Sequence, residues 1–195
     1  MKNIAFFDFD GTITTKDSLF VFVKFAVGKW RFYKGLMARW WILLAYVLGL
    51  CSNTYAKEAL MRYFFAGYGA RDFALLCENF QTMLCGIIRI QTMEKIAWHK
   101  DRGDTIVVVS ATFEEYLKPF CQNLGLECLA TRLEVVNGVL SGRLETPNCY
   151  GEQKAVRIRA GYDLAQYQEI YAYGDSKGDL AMLGLATQRF YKKFY

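Results

Sequence analysis

The chain has 195 residues, 53% of them hydrophobic and 22% charged, which excludes a disordered protein and allows one good core with a smaller insertion. The net charge of +5 favours anionic ligands, but no zinc-finger or RNA-binding motif accompanies it, so we expect no nucleic-acid partner. Six cysteines without a CxxC pair, and an acidic motif near the start in place of a secretory signal, predict a cytoplasmic setting.

The first half of the chain predicts one strand followed by a long helical stretch. Residues 4–7 form a short apolar run typical of a buried strand, and this run ends at Asp8. Residues 17–88 are helical in character and too long for a single crossover, so we expect an inserted all-helical cap domain there. Apolar residues at helical spacing over 90–97 predict a further helix, which Gly103 would end.

The second half alternates strands and helices. Residues 105–109 are β-branched and apolar and predict a strand ending at Ser110, with a helix over 113–124 after it. Asn137-Gly138, between two runs of strand character, predicts a two-residue hairpin. The remaining predictions are a helix over 152–160, a strand over 170–173, a helix from Leu180, and a last strand and tail over 189–195.

Strands alternating with helices predict an α/β fold with a parallel sheet and right-handed crossovers. The catalytic core would then comprise residues 1–16 and 89–195, and the helical cap residues 17–88.

Two acidic motifs and a serine follow predicted strands, where a parallel sheet forms its ligand-binding crevice, and a lysine near the beginning of a predicted helix joins them. They lie in four separate stretches: residues 8–12 (Asp-Phe-Asp-Gly-Thr), Ser110, Lys154, and residues 174–179 (Gly-Asp-Ser-Lys-Gly-Asp). Carboxylates gathered at one edge would repel one another unless a cation joined them. Mg²⁺ is the cation expected with a few carboxylates and a phosphate. The sequence therefore predicts a magnesium-dependent enzyme that acts on a phosphate group.

The spacing suggests a role for each residue. Asp8, nearest the strand, is the expected nucleophile that forms an aspartyl-phosphate, and Asp10 is the expected general acid and base. Asp175 is expected to bind the metal, with Asp179 supporting it or a bound water. The expected phosphate-binding residues are Gly11, Thr12, Ser110, Ala111 and Lys154. Each residue alone also has an ordinary explanation, such as a turn, a helix cap or an exposed lysine.

Taken together, these motifs resemble the haloacid dehalogenase (HAD) superfamily, and within it the phosphoserine-phosphatase-like branch. The resemblance covers the whole chain and implies a Rossmann-like core with a helical cap inserted after the first motif. It also implies Asp8 as nucleophile and Asp10 as acid/base. Magnesium would be held by Asp8, Asp175 and the backbone carbonyl of Asp10. One departure is Gly178, where phosphoserine phosphatases usually carry Asn.

The resemblance implies hydrolysis of a small phosphorylated metabolite such as phosphoserine. Two alternatives stay open, a lipid-phosphate phosphatase similar to phosphatidylglycerophosphatase and a phosphotransferase of the same fold. Asp17 lies where the family often contacts a substrate amine, but Asp17-Ser18 also makes a good helix N-cap, which we favour. His99, the single histidine, is expected on the surface, and an oligomer is left open.

The cap carries an unusual segment. Residues 18–56 contain no acidic residue, basic and aromatic residues alternate over 24–41, and residues 40–51 carry no charge. Twelve residues are too few for an ordinary transmembrane helix, which needs about 20. We favour burial of this run in the cap, against the core or against a second subunit. The alternative is peripheral membrane contact through residues 24–51, which would make the protein membrane-associated and its substrate a lipid phosphate.

Overall fold

Seven strands form two separate sheets in the computed structural model, which describes residues 2–193. In chain order the strands are β1 (Lys2–Phe7), β2 (Thr105–Phe113), β3 (Glu127–Thr131), β4 (Leu133–Val136), β5 (Val139–Leu144), β6 (Tyr167–Gly174) and β7 (Gln188–Tyr191). Five of them form a parallel sheet in the order β3-β2-β1-β6-β7, and β4 and β5 form an antiparallel hairpin. The predicted α/β fold with a parallel sheet is confirmed.

Eight α-helices accompany the strands in the described part of the chain. They are α1 (Ser18–Ala38), α2 (Trp40–Val47), α3 (Asn53–Phe65), α4 (Ala70–Cys85), α5 (Ile90–Asp101), α6 (Glu114–Asn123), α7 (Glu152–Gly161) and α8 (Leu180–Leu183). The first four fill the interval that the sequence assigns to a helical insertion. Gly28, at φ 78° and ψ 160°, bends α1.

The central strand is buried on both faces, because its alternating side chains enter two hydrophobic clusters. Ala5 and Phe7 face the cluster shared with α1 and α3 to α6, while Ile4 and Phe6 face the cluster with α7 and α8. Phe22 of α1 packs in the first cluster against Tyr116 of α6, with ring centroids 4.9 Å apart. The inserted helices therefore share one core with the sheet.

The hairpin and most helix bounds agree with the sequence predictions. Asn137 and Gly138 both have positive φ, 50° and 79°, as a type I′ turn requires. Strand β2, however, continues past Ser110 to Phe113, with irregular pairing after Val109. Ser110 therefore lies inside a strand and not directly before a helix. Strand β3 has no counterpart among the predicted elements. The last two residues of the predicted tail, 194 and 195, lie outside the residues that the structure describes.

The prediction of a surface position for His99 is wrong. Its side chain is fully buried; Nδ1 lies 2.7 Å from Asp104 Oδ2 and Nε2 lies 2.9 Å from the Tyr173 hydroxyl. Burial, partly offset by Asp104, lowers the pKa of His99. The polar partners that permit this burial come from a loop and from β6, so helical periodicity alone could not reveal them.

The favoured burial of residues 40–51 within the chain is also wrong. Of the apolar residues in α2, Ile42 alone is buried, whereas Val47 is 79% exposed and Leu50 after it is 77% exposed. The physical reason is incomplete coverage: α2 is a short helix that packs chiefly against α3, and its side chains Leu44 and Val47 stay 45% and 79% exposed. Within residues 2–193 we find no helix that is both long and apolar enough to span a membrane.

Candidate active site

The predicted site residues meet at the carboxyl edge of the parallel sheet. Asp8 directly follows β1, and its backbone N–H donates to the Tyr173 carbonyl at 2.9 Å. Asp175 directly follows the neighbouring strand β6, and Ser110 extends from β2 on the other side. Three adjacent strands thus deliver three side chains to one place, as the rule for ligand sites in such sheets anticipates.

A tight turn after β1 brings the backbone against Asp175. Gly11 has φ 85°, and a Cβ at this position would lie only 2.4 Å from Asp175 Oδ2. Glycine is therefore required both by the positive φ and by the close approach. The turn is held from α5, because Thr92 Oγ1 donates to the Thr12 carbonyl at 2.8 Å and Arg89 Nη2 donates to the Gly11 carbonyl at 3.0 Å.

Lys154 is the central cation of the site. It is 2% exposed, and its ammonium donates to Asp8 Oδ1 at 2.5 Å, Asp179 Oδ1 at 2.7 Å and the Val109 carbonyl at 2.8 Å. Burial opposes its charge, but the two carboxylates prevail and raise the pKa of Lys154. Each of its three N–H bonds has an acceptor, so the charge is held in one position.

Asp8 and Asp179 compete for this lysine, and the surroundings favour ionised Asp179. The other oxygen of Asp179 accepts from the Ser176 amide at 2.9 Å and the Ser176 hydroxyl at 2.8 Å. Although burial opposes its charge, Lys154 and these donors lower the pKa of Asp179. Burial raises the pKa of Asp8 to about 7, with Lys154 opposing the shift. Asp8 thus lacks part of the positive charge that its ionised form needs.

A divalent cation fits this deficit. Asp8, Asp175 and Asp179 can each direct one oxygen to a common point, with those oxygens within 4.8 Å of one another. Three carboxylates against one lysine leave two negative charges. The buried oxygen Oδ1 of Asp175 has no hydrogen-bond partner among residues 2–193. Hard oxygen ligands and an unpaired buried oxygen suit Mg²⁺, although both oxygens of Asp179 already accept hydrogen bonds.

Asp10 stands apart from the three grouped carboxylates. Its Oδ1 accepts from the Ser18 amide at 2.6 Å, which points it toward the start of α1. Burial, and then the charge of Asp17, raise the pKa of Asp10 to about 6. A carboxyl group with such a pKa can both give and take a proton near neutrality. Asp17 caps α1, as predicted, by accepting from the Phe20 amide at 3.2 Å.

Ser110 and Ala111 line the same pocket as Asp8. The Ser110 hydroxyl oxygen accepts from the Thr112 amide at 3.0 Å, which fixes the side chain at the pocket wall. The Ala111 carbonyl is occupied by Lys57, whose ammonium donates to it at 2.5 Å and to Asn148 Oδ1 at 3.1 Å.

Lys57 is the functional candidate that the sequence analysis missed. It is 8% exposed, lines the pocket, and has a pKa lowered to about 8, chiefly by burial. A lysine at a helical position in a basic segment carries no sequence signal of burial. Its partners, Ala111 and Asn148, are 54 and 91 residues away along the chain.

The pocket has a polar floor and an apolar wall. Its volume is about 330 Å³, with Asp8, Asp10, Ser110 and Asp175 among its lining residues. The inserted helices supply the opposite wall through five apolar residues: Leu19, Phe20, Leu43, Ala56 and Leu60. Such a pocket can take a phosphate at its floor and an organic group above it.

Gly178, the position that departs from the resemblance, has a local explanation. A Cβ at this position would lie 2.4 Å from the ring of Tyr150, which also lines the pocket. The space for an Asn side chain is therefore occupied by an aromatic ring from the segment before α7.

Comparisons with known proteins identify a family and several relatives of this chain. The family model described as haloacid dehalogenase-like hydrolase matches residues 5–184. The chain is 31% identical to protein CicA of Caulobacter vibrioides, over 96% of this chain and 85% of that protein. It is 30% identical to a phosphoserine phosphatase of Mycobacterium tuberculosis, over 93% of this chain and 61% of that protein. A structure from Bordetella pertussis, of unknown function, superposes with a TM-score of 0.84 at 24% identity, covering 97% of this chain and 89% of that one.

Proposed function

Since the chain belongs to the haloacid dehalogenase-like hydrolase family and is a phosphatase, we propose that it cleaves phosphate monoesters through a covalent intermediate on Asp8. The observation that carries this proposal is the arrangement around Lys154. One buried ammonium lies between Asp8 and Asp179, while Asp175 opposite keeps an unpaired oxygen. This arrangement provides both a nucleophile and the positive charge that a phosphate needs.

In the first step, a carboxylate oxygen of Asp8 attacks phosphorus and forms a new P–O bond. The bond from phosphorus to the ester oxygen breaks, and Asp10 transfers its proton to that oxygen, so the product leaves as an alcohol. The pKa of Asp10, raised to about 6, suits this proton transfer.

In the second step, water replaces the enzyme on phosphorus. Asp10, now ionised, takes a proton from the water as the water oxygen attacks, and the bond between Asp8 and phosphorus breaks. Inorganic phosphate is released, and Asp8 and Asp10 return to their starting forms. Because the same carboxyl group donates and then accepts a proton, its pKa must lie near the working pH.

The rest of the site holds the phosphoryl group. Lys154 would neutralise its charge beside Asp8, and Ser110 would donate its hydroxyl proton from the opposite side. Gly11, Thr12 and Ala111 would add contacts from the turn and from β2. Mg²⁺, held by Asp8, Asp175 and the Asp10 carbonyl, would supply further positive charge; Asp179 would orient Lys154 and the 175–176 backbone.

The proposed division into a core of residues 1–16 and 89–195 and a cap of residues 17–88 explains the pocket's two walls. The core supplies the acidic floor and the cap supplies the apolar wall. Substrate choice would then belong to the cap, and the chemistry to the core.

Two substrate classes follow for this pocket. A small phosphorylated metabolite such as phosphoserine is favoured by the similarity to a phosphoserine phosphatase. An ester of phosphate with a lipid alcohol is favoured by the apolar wall, where Leu19, Leu43 and Leu60 face the catalytic floor. A phosphotransferase would keep the same first step and replace water by an acceptor alcohol.

The test is phosphate release with Mg²⁺ from matched panels of soluble and lipid phosphomonoesters. Asp8→Asn is the blank, since it keeps the shape and removes the nucleophile. We expect activity on at least one panel. This activity should be lost in Asp8→Asn, and also when a chelator removes Mg²⁺. Full activity in Asp8→Asn would contradict the mechanism. Product transferred to added alcohol in place of water would favour the phosphotransferase.

A further inference from the structure

We propose that one face of the inserted helices docks on an anionic lipid bilayer. This face, called here the basic aromatic face, comprises residues 24–50, from the middle of α1 through α2 to the loop after it. Its most exposed apolar residues are Trp30, Met37, Trp40, Val47, Leu48 and Leu50, which are between 58% and 82% exposed.

Such exposure is unusual for a region that faces only water. Single exposed apolar residues are common on protein surfaces, but a concentration of large ones within one segment marks an interaction site. Three of the chain's four tryptophans, Trp30, Trp40 and Trp41, are in this segment and all three are exposed. Tryptophan is enriched at membrane–water interfaces, where its ring is apolar and its N–H meets water.

The charge of the face selects the partner. No Asp or Glu occurs between Asp17 and Glu58, whereas five basic residues occur between residues 24 and 39. Lys29, Arg31 and Lys34 are exposed beside the apolar residues. Exposed cations next to exposed aromatic rings are complementary to anionic headgroups over acyl chains. A second copy of the same face fits less well, because cations would then oppose cations.

A second cavity, along α1, also combines apolar residues with lysines, as the basic aromatic face does. About 640 Å³ in volume, it is lined by apolar residues such as Phe25 and Phe32 and bordered by Lys16, Lys24 and Lys29. An apolar groove with lysines at its border matches an anionic amphiphile. This cavity and the catalytic pocket share Asp17 and Phe20 as lining residues.

Helix α2 connects the face to the catalytic pocket. Leu43 and Tyr46 line the pocket, while their neighbours Leu44 and Val47 are 45% and 79% exposed. One helix therefore forms part of the pocket wall on one side and part of the basic aromatic face on the other. Docking through this face would place the pocket beside the headgroups of the bilayer.

Vesicle flotation of the full chain tests the proposal without turnover, so its result is independent of the phosphatase mechanism. The probes are vesicles of phosphatidylcholine alone and of phosphatidylcholine with phosphatidylglycerol. We expect the chain to float with the anionic vesicles, with a blue shift of tryptophan emission. Failure to float with them, at low salt, would overturn the proposal.

Two variants, each with a control, distinguish binding through the basic aromatic face from binding through the net positive charge of the protein. Replacing Lys29, Arg31 and Lys34 by Gln should weaken binding on the order of a hundredfold, from about 1 kcal/mol for each cation near an anionic surface. The control replaces Arg71, Arg143 and Arg159, exposed cations elsewhere, by Gln. Equal weakening in the control would contradict a defined face.

The apolar residues are tested by the double variant Trp40→Ser with Val47→Ser, which should abolish flotation. The matched control is Leu75→Ser with Ile90→Ser, because these two apolar residues are exposed outside the basic aromatic face; it should still float. Circular dichroism and activity on a soluble aryl phosphate show whether each variant is folded. A dimer in gel filtration that Trp40→Ser with Val47→Ser dissociates would assign the face to a second copy and overturn the proposal.

Discussion

Replacing Lys154 by Met removes the one cation shared by two buried carboxylates and should both inactivate and destabilise the protein. Lys154, Asp8 and Asp179 are 2%, 6% and 1% exposed, so solvent cannot compensate the lost charge. Breaking a buried ion pair by removing one partner costs about 3–5 kcal/mol. Against a total stability of about 5–15 kcal/mol, that loss is large enough to shift a urea midpoint clearly.

The measurement is urea unfolding of Lys154→Met and of a matched control, Lys118→Met. Lys118 makes an exposed pair with Glu114 at 3.5 Å, so its loss should cost less than about 1 kcal/mol. The loss in free energy of unfolding caused by Lys154→Met should become smaller as the pH falls, because protonated carboxyl groups no longer need a cation. Adding Asp179→Asn should restore part of the stability, because one unpaired charge is then removed.

A deficit below about 1 kcal/mol, or one that does not change with pH, would refute this reasoning. It would mean that the carboxylates are protonated or solvated when the lysine is absent, and that Lys154 is not the charge that holds the site together.

Three further predictions address the turn, the metal and the buried histidine. Gly11→Ala should cost about 1–3 kcal/mol from its positive φ and weaken Mg²⁺ binding by displacing Asp175, as calorimetric titration with Mg²⁺ would show; unchanged affinity would contradict the close approach. Relative to Asp8→Asn, the metal-free protein should lose stability as the pH rises from about 4 to about 7, because the folded state keeps a proton on Asp8, whose pKa is raised to about 7, that the unfolded state has released. Thermal unfolding in chelator should show this slope, and Mg²⁺, which favours the ionised form, should reduce it; a slope of opposite sign would contradict the burial of Asp8. His99→Leu should cost about 1–3 kcal/mol, because buried Asp104 loses one of its partners and the Tyr173 hydroxyl loses its contact with His99, while the activity of the folded fraction persists, since His99 does not line the pocket; lost activity at full folding would give His99 a larger role.

The sequence was most informative where structure is local. The apolar run before Asp8 and the Asn137-Gly138 turn each specify their conformation within a few residues, and both predictions agree with the structure. The convergence of Asp8 and Asp175 could also be anticipated, because strand ends in a parallel sheet meet at one edge.

What sequence reasoning missed depends on tertiary partners. Lys57 is buried because Ala111 and Asn148 accept its hydrogen bonds, and His99 is buried because Asp104 and Tyr173 surround it. Neither partnership leaves a pattern in the sequence.

The exposure of α2 is the opposite case. Its apolar composition indicated burial, yet a helix is buried only if another element covers it. Within the described residues α3 covers one side, and Val47 on the other side stays 79% exposed.

The most direct test of the central claim is to trap the phosphorylated enzyme and map the modified residue by mass spectrometry. Asp10→Asn with an aryl phosphate is the suitable combination, because a good leaving group needs little acid and the second step lacks its base. We predict one phosphoryl group on the peptide that contains Asp8, absent when Asp8→Asn is added. A phosphoryl group on Ser110, or turnover of substrate with no modified peptide, would contradict the account.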